Sequence, residues 1–375
     1  MHSDLLLVIV VGAALAFDFT NGFHDTANVV AASISTRALS PRTAVTIAAA
    51  LNFVGAFISL KVAATIGSGI FATGRITETI VFAGLIGAIA WNLVTWFVGL
   101  PSSSSHALIG GVAGAMLAAV GTSGVRGQAL VRTVLAPGVV APVLAFVVAG
   151  ISIVLVYRVV GRRRPGVVTD GFRLGQIVST SMLALAHGTN DAQKTMGVIT
   201  LALVAHGSIS EQHFHVPTWV VVSAATAIAL GTYAGGWRII RTVGTRIIKM
   251  DIAQGFTAQG AGAAVILASS HFGYPLSTTH VISGGIMGAG AAKRLSAVRW
   301  GVAGNIAVAW ILTIPAAGLA GALTYGVTDI FGAGVLGPIL VTILALGVVA
   351  SALVHRGRSP YPGTEARGAS ANLQA

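Results

Sequence analysis

The chain alternates long apolar stretches with short polar or basic segments. A bilayer crossing by a helix needs about 20 consecutive apolar residues. Stretches that approach or exceed this length run over 5–17, 43–66, 79–100, 106–121, 129–157, 174–204, 217–236, 252–272, 281–292, 300–326 and 333–354. Several are short, and the first continues past a polar interruption to residue 35. The pattern predicts an all-α polytopic membrane protein with about 10–12 transmembrane segments, some of them interrupted helices or re-entrant hairpins.

Composition excludes an ordinary soluble domain. Of the 375 residues, 55% are hydrophobic and only 9% are charged, and the mean hydropathy is +0.86. Soluble domains carry about 25% charged residues. Cysteine is absent, which excludes disulfides, thiolate catalysis and cysteine-based metal sites. We expect no cofactor.

The charge pattern predicts the orientation of the chain. Although the net charge is +12, lysine and arginine lie mainly in short runs between apolar segments, as in loops that touch an anionic inner leaflet. We therefore expect the lipid bilayer, and no nucleic acid, as their partner. The basic runs lie at 37–42, 158–173, 238–249, 293–299 and 356–358. The positive-inside rule makes them cytoplasmic, with the N-terminus outside and the C-terminus inside a plasma (inner) membrane.

The same pattern divides the chain into segments. We predict a first repeat over 1–157, a basic cytoplasmic loop over 158–173, and a second repeat with additional C-terminal helices over 174–355. Residues 356–375 are polar and rich in glycine and serine, which predicts a disordered tail.

One polar motif occurs twice in the apolar chain. Pro101–Gly111 reads Pro-Ser-Ser-Ser-Ser-His-Ala-Leu-Ile-Gly-Gly, and Pro275–Gly285 reads Pro-Leu-Ser-Thr-Thr-His-Val-Ile-Ser-Gly-Gly. Each copy places hydroxyls where an apolar helix begins, and the free N–H groups of a helix start bind anions. We predict that both starts face one anion. The hydroxyl residues are Ser103, Ser104, Ser105, Ser277, Thr278 and Thr279. His106 and His280 suit either a ligand role or a bond to a backbone carbonyl.

A second polar element is also duplicated. Gly22–Asn28 reads Gly-Phe-His-Asp-Thr-Ala-Asn, and Gly188–Lys194 reads Gly-Thr-Asn-Asp-Ala-Gln-Lys. The chain after the first copy reaches the basic loop 37–42, whereas the chain after the second reaches the non-basic segment 205–216. The two halves are therefore predicted to be inverted. Many secondary transporters use such repeats to build a site that is reachable from either side.

The two aspartates of these elements need an explanation, because a carboxylate at a membrane helix centre costs about 2.5–3.5 kcal/mol. A structural pairing with a neighbour is one explanation. The functional one is that Asp25 and Asp191 carry protons or bind a coupling cation, with amide oxygens nearby. The residues of this predicted cation or proton site are His24, Asp25, Asn28, Asn190, Asp191 and Lys194.

Two of these residues carry further chemistry. His24 adjoins Asp25 and is a candidate proton relay. Lys194 follows Asp191 by three residues, so it lies on the same helical face and either neutralises that carboxylate or attracts the anion. Because paired carboxylates repel an anionic ligand, cations must enter with it. Protons, Na⁺ or a divalent metal all meet this need, and the sequence assigns no metal ligands.

The four elements together resemble the inorganic phosphate transporter (Pit) family over residues 4–355. Asn21–Asn28 and His187–Lys194 match the two motifs of its bacterial members, which are low-affinity phosphate permeases. The resemblance implies an inverted-repeat transporter and no enzyme. It also implies that the hairpin hydroxyls hold inorganic phosphate and that the aspartate elements hold the coupling cation, with a homodimer as one compatible assembly.

The resemblance also bears on the coupling ion. Na⁺-coupled members carry Gly-Ala-Asn-Asp-Val-Ala-Asn in both copies, whereas His24 and Lys194 replace asparagines here. Bacterial relatives are regarded as proton symporters that also take phosphate as a neutral complex with a divalent metal such as Mg²⁺. The resemblance therefore implies phosphate import coupled to protons by alternating access, and coupling to Na⁺ is the alternative.

Three other functions compete with this interpretation. A sulfate permease would bind a similar tetrahedral dianion, and a passive anion channel would need no aspartates. An intramembrane serine hydrolase would use a serine, a histidine and an aspartate. Ser105 and His106 are adjacent and so point apart on a helix, and a duplicated nucleophile serves no purpose in hydrolysis.

Overall fold

The computed structural model describes residues 2–160, 165–332 and 334–358, and these residues are almost entirely helical. The α-helices are α1 His2–Ser35, α2 Pro41–Gly55, α3 Lys61–Ala64, α4 Glu78–Val98, α5 Ser104–Val120, α6 Gly127–Leu130, α7 Ala136–Val160, α8 Pro165–His206, α9 Thr218–Ala234, α10 Trp237–Arg241, α11 Ile252–Phe272, α12 Thr278–Lys293, α13 Trp300–Asp329 and α14 Leu336–Arg358. Short 3-10 and π turns connect some of them. The predicted all-α class is confirmed.

Two helical hairpins, α4–α5 and α11–α12, organise the molecule. Helix α4 ends at Gly99 and helix α11 at Gly273, whose φ angles of 72° and 80° are left-handed and favour glycine as a helix terminator. A proline then prevents the helix from continuing. The next helix starts at a serine cap, Ser103 for α5 and Ser277 for α12. Each duplicated hydroxyl motif therefore forms the tip of a hairpin.

Both hairpins return to the side from which they start. Before α4 and after α5, Phe71 pairs with Val125 in an isolated antiparallel bridge. Before α11 and after α12, the Arg299 N–H donates to the Ile247 carbonyl over 3.0 Å. The positive-inside rule predicts the first closing contact to be outside, because the segment 67–78 carries one basic residue, Arg75. It predicts the second to be inside, because that contact lies among the basic runs 238–249 and 293–299. Each hairpin therefore begins and ends at the same end, as a re-entrant hairpin does, and the predicted orientation has the two enter the membrane from opposite faces, as inverted repeats require.

The helix after each hairpin packs against the hairpin of the other repeat. Helix α7 packs on α12, and α13 packs on α5. Small residues make this possible, because a Cβ on Gly288 would overlap the Phe146 carbonyl and a Cβ on Gly114 would overlap the Gly318 carbonyl. The two repeats are therefore interlocked and share one interior.

Among the described residues, five helices are long and apolar enough to span a bilayer by length and composition, or six if the bent pair Thr218–Ala234 and Trp237–Arg246 is one span. Helices α1 and α8 run unbroken through Asp25 and Asp191, so the interruptions lie in the hairpin turns. The basic segment predicted as a loop over 158–173 is largely helical, since α7 extends to Val160 and α8 begins at Pro165. The predicted tail lies outside the described residues from 359 onwards.

Candidate functional site

The two hairpin tips meet in the interior of the molecule. The Ser105 hydroxyl at the start of α5 donates to the Leu276 carbonyl, in the turn before α12, over 3.1 Å. Helices α1 and α8 pass beside this junction and present Asp25 and Asp191, which are 1% and 0% exposed. The structure therefore brings the two hydroxyl motifs and the two aspartate elements into one buried site.

The first hydroxyl of each tip holds its own helix start. The Ser103 Oγ accepts the His106 N–H over 3.1 Å, and the Ser277 Oγ accepts the His280 N–H over 3.3 Å. This is the N-cap bond, which compensates one free donor of the helix start. A capping oxygen keeps its hydroxyl hydrogen, so both serines retain a donor for an anion.

The next hydroxyls face the carboxylates. The Thr278 Oγ1 lies 3.2 Å from Asp25 Oδ2 and 3.4 Å from Asp191 Oδ2, and the Thr279 Oγ1 lies 3.4 Å from Asp25 Oδ1. One hydroxyl hydrogen serves only one acceptor at a time, so Thr278 leaves one carboxylate oxygen without its donor. Its counterpart in the first repeat, Ser104, has an Oγ without a hydrogen-bond partner among the described residues.

The two asparagines leave their oxygens free. The Asn28 Nδ2 donates to Thr279 Oγ1 over 2.9 Å, and the Asn190 Nδ2 donates to Ser270 Oγ over 2.8 Å and to the Tyr274 carbonyl over 3.1 Å. In the described part of the chain, the Oδ1 atoms of Asn28 and Asn190 accept no hydrogen bond. A buried oxygen without a donor is suited to a cation.

His24 connects Asp25 to a pair of hydroxyls. Its Nδ1 lies 2.7 Å from Asp25 Oδ1, and its Nε2 lies 3.2 Å from Thr95 Oγ1 and 3.4 Å from Ser102 Oγ. The Ser102 hydroxyl in turn donates to Thr95 over 2.8 Å. Because both ring nitrogens have partners, the imidazole can take a proton on one side and release it on the other.

Lys194 occupies the corresponding region of the second repeat. Its Nζ lies 2.6 Å from Asp191 Oδ1, 2.5 Å from Ser105 Oγ and 2.7 Å from the Leu276 carbonyl. The side chain is 1% exposed. An ammonium group has three N–H donors, and all three are used here. Lys194 therefore pairs with Asp191 and does not extend to an interface.

His187 is a further neighbour of Asp191, and the sequence-based prediction of the site did not include it. Its Nε2 lies 3.4 Å from Asp191 Oδ2 and has no hydrogen-bond geometry. Its Nδ1 lies 3.2 Å from Asn52 Oδ1, and Asn52 Nδ2 donates over 2.7 Å to Thr232. The Thr232 hydroxyl already donates to the Ile228 carbonyl, which fixes the Asn52 oxygen toward His187.

This chain of bonds determines the tautomer of His187. The Asn52 oxygen can only accept, so the His187 Nδ1 carries the hydrogen and the Nε2 of the neutral ring presents a lone pair toward a carboxylate. Two acceptors that face each other repel, and a proton or a metal ion between them would remove that repulsion. One ligand atom each from Asp25, His187 and Asp191 lies within 4.8 Å of the others, a donor set of two carboxylates and an imidazole that suits a divalent metal. His187 and Asp191 are four residues apart on α8, and this spacing is the feature of the sequence that predicts their contact.

The two hairpin histidines lie in a different cluster. The rings of His106 and His280 are in edge contact at 4.7 Å, and His280 stacks on Trp310 at 4.0 Å. The His280 Nδ1 donates to the Gly138 carbonyl over 3.1 Å, which matches the structural alternative. Both rings line an otherwise apolar cavity of about 630 Å³ between α7, α12 and α13.

Comparison with known proteins places the chain among phosphate transporters. A family model described as the phosphate transporter family matches residues 21–169 and 162–321, once for each half. A protein of Mycobacterium tuberculosis strain H37Rv, described as a probable low-affinity inorganic phosphate transporter, is 53% identical over 353 residues, which cover 94% of this chain and 84% of that protein. Proteins with the same description from Rhizobium meliloti and Bacillus subtilis are 50% and 43% identical, over 87% and 86% of this chain and 97% and 96% of their own length.

The fold is also known from a solved structure. A structure of the sodium-dependent phosphate transporter superimposes with a TM-score of 0.80 at 24% identity, covering 87% of this chain and 99% of that one. The fold comparison confirms the multi-span helical architecture, and the duplicated family match confirms the internal repeat. The chain belongs to the phosphate transporter family.

Proposed function

We propose that this protein imports inorganic phosphate across a membrane by alternating access and couples that import to protons. The observation that carries the proposal is the junction of the two hairpin tips between Asp25 and Asp191. There, helix starts with hydroxyl donors lie against carboxylates that each have an imidazole neighbour. The low-affinity phosphate transporters to which the chain is similar support the same substrate.

Phosphate binding is the role of the hairpin hydroxyls in this proposal. Two helix N-termini and six hydroxyls form a donor-rich environment for a tetrahedral oxyanion. Ser104 is ready to donate, because its hydroxyl has no partner among the described residues. Thr278 and Thr279 would exchange their bonds with Asp25 for bonds with phosphate when the carboxylate takes up a cation. A phosphate that still carries a proton can also donate to a carboxylate, which sulfate cannot do near neutral pH.

Proton coupling explains the histidines. Asp25 has His24 at 2.7 Å, and Asp191 has His187 at 3.4 Å. Protons that bind these pairs remove the negative charge that would repel phosphate. Each histidine continues into a hydrogen-bond chain, through Thr95 for His24 and through Asn52 for His187.

The burial of the site and its symmetry support alternating access. Ser104, Thr278, Asp25 and Asp191 are all at most 1% exposed, so phosphate reaches them only after the protein moves. The predicted orientation has the hairpins insert from opposite faces, as inverted repeats do. Small displacements of one hairpin relative to the other would therefore open the site to one side at a time.

Specific observations favour two variants of this function. The Oδ1 atoms of Asn28 and Asn190, which have no hydrogen-bond donor among the described residues, are suited to bind Na⁺ as well as a hydronium ion. The cluster of Asp25, His187 and Asp191 is suited to the metal of a neutral metal–phosphate complex. Both variants keep phosphate as the substrate and change only the cation.

Uptake of labelled phosphate into proteoliposomes tests the proposal. The measurement applies an inward pH gradient, then an inward Na⁺ gradient, each with and without Mg²⁺ and with sulfate as competitor. We expect uphill uptake under the pH gradient that sulfate does not inhibit. Uptake driven by Na⁺ alone would contradict proton coupling, inhibition by sulfate would contradict selectivity for phosphate, and downhill flux alone would indicate a channel.

A further inference from the structure

The two halves of the site are built from equivalent positions. Asp25 and Asn28 are three residues apart on α1, as Asp191 and Lys194 are on α8. The partner hydroxyl of each half precedes the hairpin histidine of the opposite repeat. Asn28 Nδ2 donates to Thr279 Oγ1 over 2.9 Å, and Lys194 Nζ donates to Ser105 Oγ over 2.5 Å.

The equivalent positions differ by one charge. The Lys194 ammonium contacts a carboxylate, a hydroxyl and a backbone carbonyl at 2.5–2.7 Å, and the carbonyl belongs to the unwound turn before α12. These are the oxygen types that bind an alkali cation in discontinuous membrane helices. The first half has the same aspartate and hydroxyl, but its neutral Asn28 leaves an oxygen without a partner among the described residues.

A purely structural ion pair explains less of this geometry. A lysine that only neutralised Asp191 would need one contact, with that carboxylate. Instead, one further donor crosses to Ser105 in the first repeat and another reaches the Leu276 carbonyl in the second, so the ammonium group joins both hairpin tips. The fully buried charge is thus located where a cation from solution would connect the same two tips.

We propose that the Lys194 ammonium is a covalently tethered cation that occupies the second of two symmetry-related cation positions. Only the position beside Asp25 and Asn28 is then filled from solution in each cycle. The inference rests on the proposed function, because it concerns the cations that accompany phosphate through the same site. The inference predicts that each phosphate is transported with one positive charge fewer than in a site with asparagine at both positions.

Replacement of the lysine tests the inference. Lys194→Asn copies the Asn28 arrangement into the second half, and Lys61→Asn, at an exposed lysine, is the matched control. We expect Lys194→Asn to take up little phosphate without Na⁺ and to regain uptake when Na⁺ is added, by about tenfold or more. Wild type and the control should respond to Na⁺ by less than about twofold. The charge carried per phosphate, from reversal potentials, should rise by one in Lys194→Asn.

Several outcomes would overturn the inference. One is a Lys194→Asn variant that transports as wild type does without Na⁺, and another is one that binds phosphate while no monovalent cation alters that binding. Phosphate binding to the purified protein, followed through the quenching of tryptophan fluorescence, shows whether the variant is folded.

The mirror variant Asn28→Lys adds a second tethered cation and should bind phosphate with no need for a transported one. If its binding still requires the same cation, the inference is wrong. Each variant is compared with wild type, and that comparison does not depend on whether protons drive uptake by wild type. A failure of this inference is therefore distinguishable from a failure of the proposed function.

Discussion

The half of the site around Asp25 and the half around Asp191 have equivalent residue positions but differ in charge. Asp25 is bonded to a histidine and to two threonine hydroxyls and has no cationic neighbour of fixed charge in the described residues. Asp191 has a lysine at 2.6 Å and a histidine at 3.4 Å. The second carboxylate is therefore largely neutralised by the protein itself, whereas the first is the one that the proposed mechanism assigns to the exchangeable cation.

In the proposed mechanism, this difference separates two tasks that a fully symmetric site would share. A permanent ion pair at Asp191 joins the hairpin tips through Ser105 and Leu276 and stabilises the closed junction. In that mechanism, binding of the coupling ion changes the charge of Asp25 and so alters its hydrogen bond to Thr278 of the other hairpin. Substitutions in one half, each compared with its counterpart, test this division.

The largest effect is expected from the aspartates. Asp25→Asn removes the exchangeable carboxylate and should lower coupled uptake by about 100-fold or more. Asp191→Asn leaves Lys194 as an unpaired buried charge and should have an effect of at least the same size. Uptake and membrane insertion are measured together, and Asp329→Asn, at an exposed position, is the control. Normal uptake in both site variants would exclude these carboxylates from coupling.

The histidines should show a smaller and unequal effect. Hydrogen bonds to charged groups contribute about 1.5–3 kcal/mol, so His24→Gln should lower proton-driven uptake by about tenfold to 100-fold. His187→Gln should cost less, because Lys194 continues to neutralise Asp191. Proton-driven uptake is compared with phosphate exchange at equal pH, and His215→Gln is an exposed control. Equal losses in driven uptake and exchange would indicate a structural role for both histidines.

The hydroxyls should mainly affect the affinity for phosphate. A neutral hydrogen bond contributes about 0.5–1.5 kcal/mol, so Ser104→Ala should raise the apparent KM by about twofold to tenfold. Thr278→Val should raise it by a similar factor and should also disturb proton coupling, because this hydroxyl lies between both aspartates. Initial rates over a range of phosphate concentrations separate KM from the maximal rate, with Ser123→Ala as the exposed control. An unchanged KM in both variants would locate the anion elsewhere.

The smallest effect on transport is expected from the packing glycines. Gly114→Ala and Gly288→Ala place a methyl group against the backbone of the partner helix and should destabilise the fold by about 1–3 kcal/mol. Gly301→Ala meets no atom within 4 Å and should be neutral or slightly stabilising. Thermal unfolding followed by tryptophan fluorescence compares the three. If only one of the Gly114→Ala and Gly288→Ala variants loses stability, the cross-repeat contacts of α5 and α12 are not equivalent.

Part of the site could be read from local sequence. A proline with hydroxyls at the start of an apolar helix predicts a capped helix tip, because capping depends on neighbours within one turn. Ser103 and Ser277 form those caps. The pairing of Lys194 with Asp191 also follows from a spacing of three residues on a helix. The role of His187 was missed, although its spacing to Asp191 carries the same kind of signal.

The sequence by itself determined the helical membrane fold, the duplication, the inversion and the identity of the polar residues that enter the interior. Hydropathy, capping and loop charge depend only on residues near one another in the chain, and the duplication and inversion follow from comparing such segments along the sequence. Only the tertiary structure decided that Lys194 reaches Ser105 and Leu276, that Asn52 sets the tautomer of His187, and that His106 and His280 contact Trp310. Such contacts join segments far apart in sequence, and they depend on how closely the interlocked repeats pack.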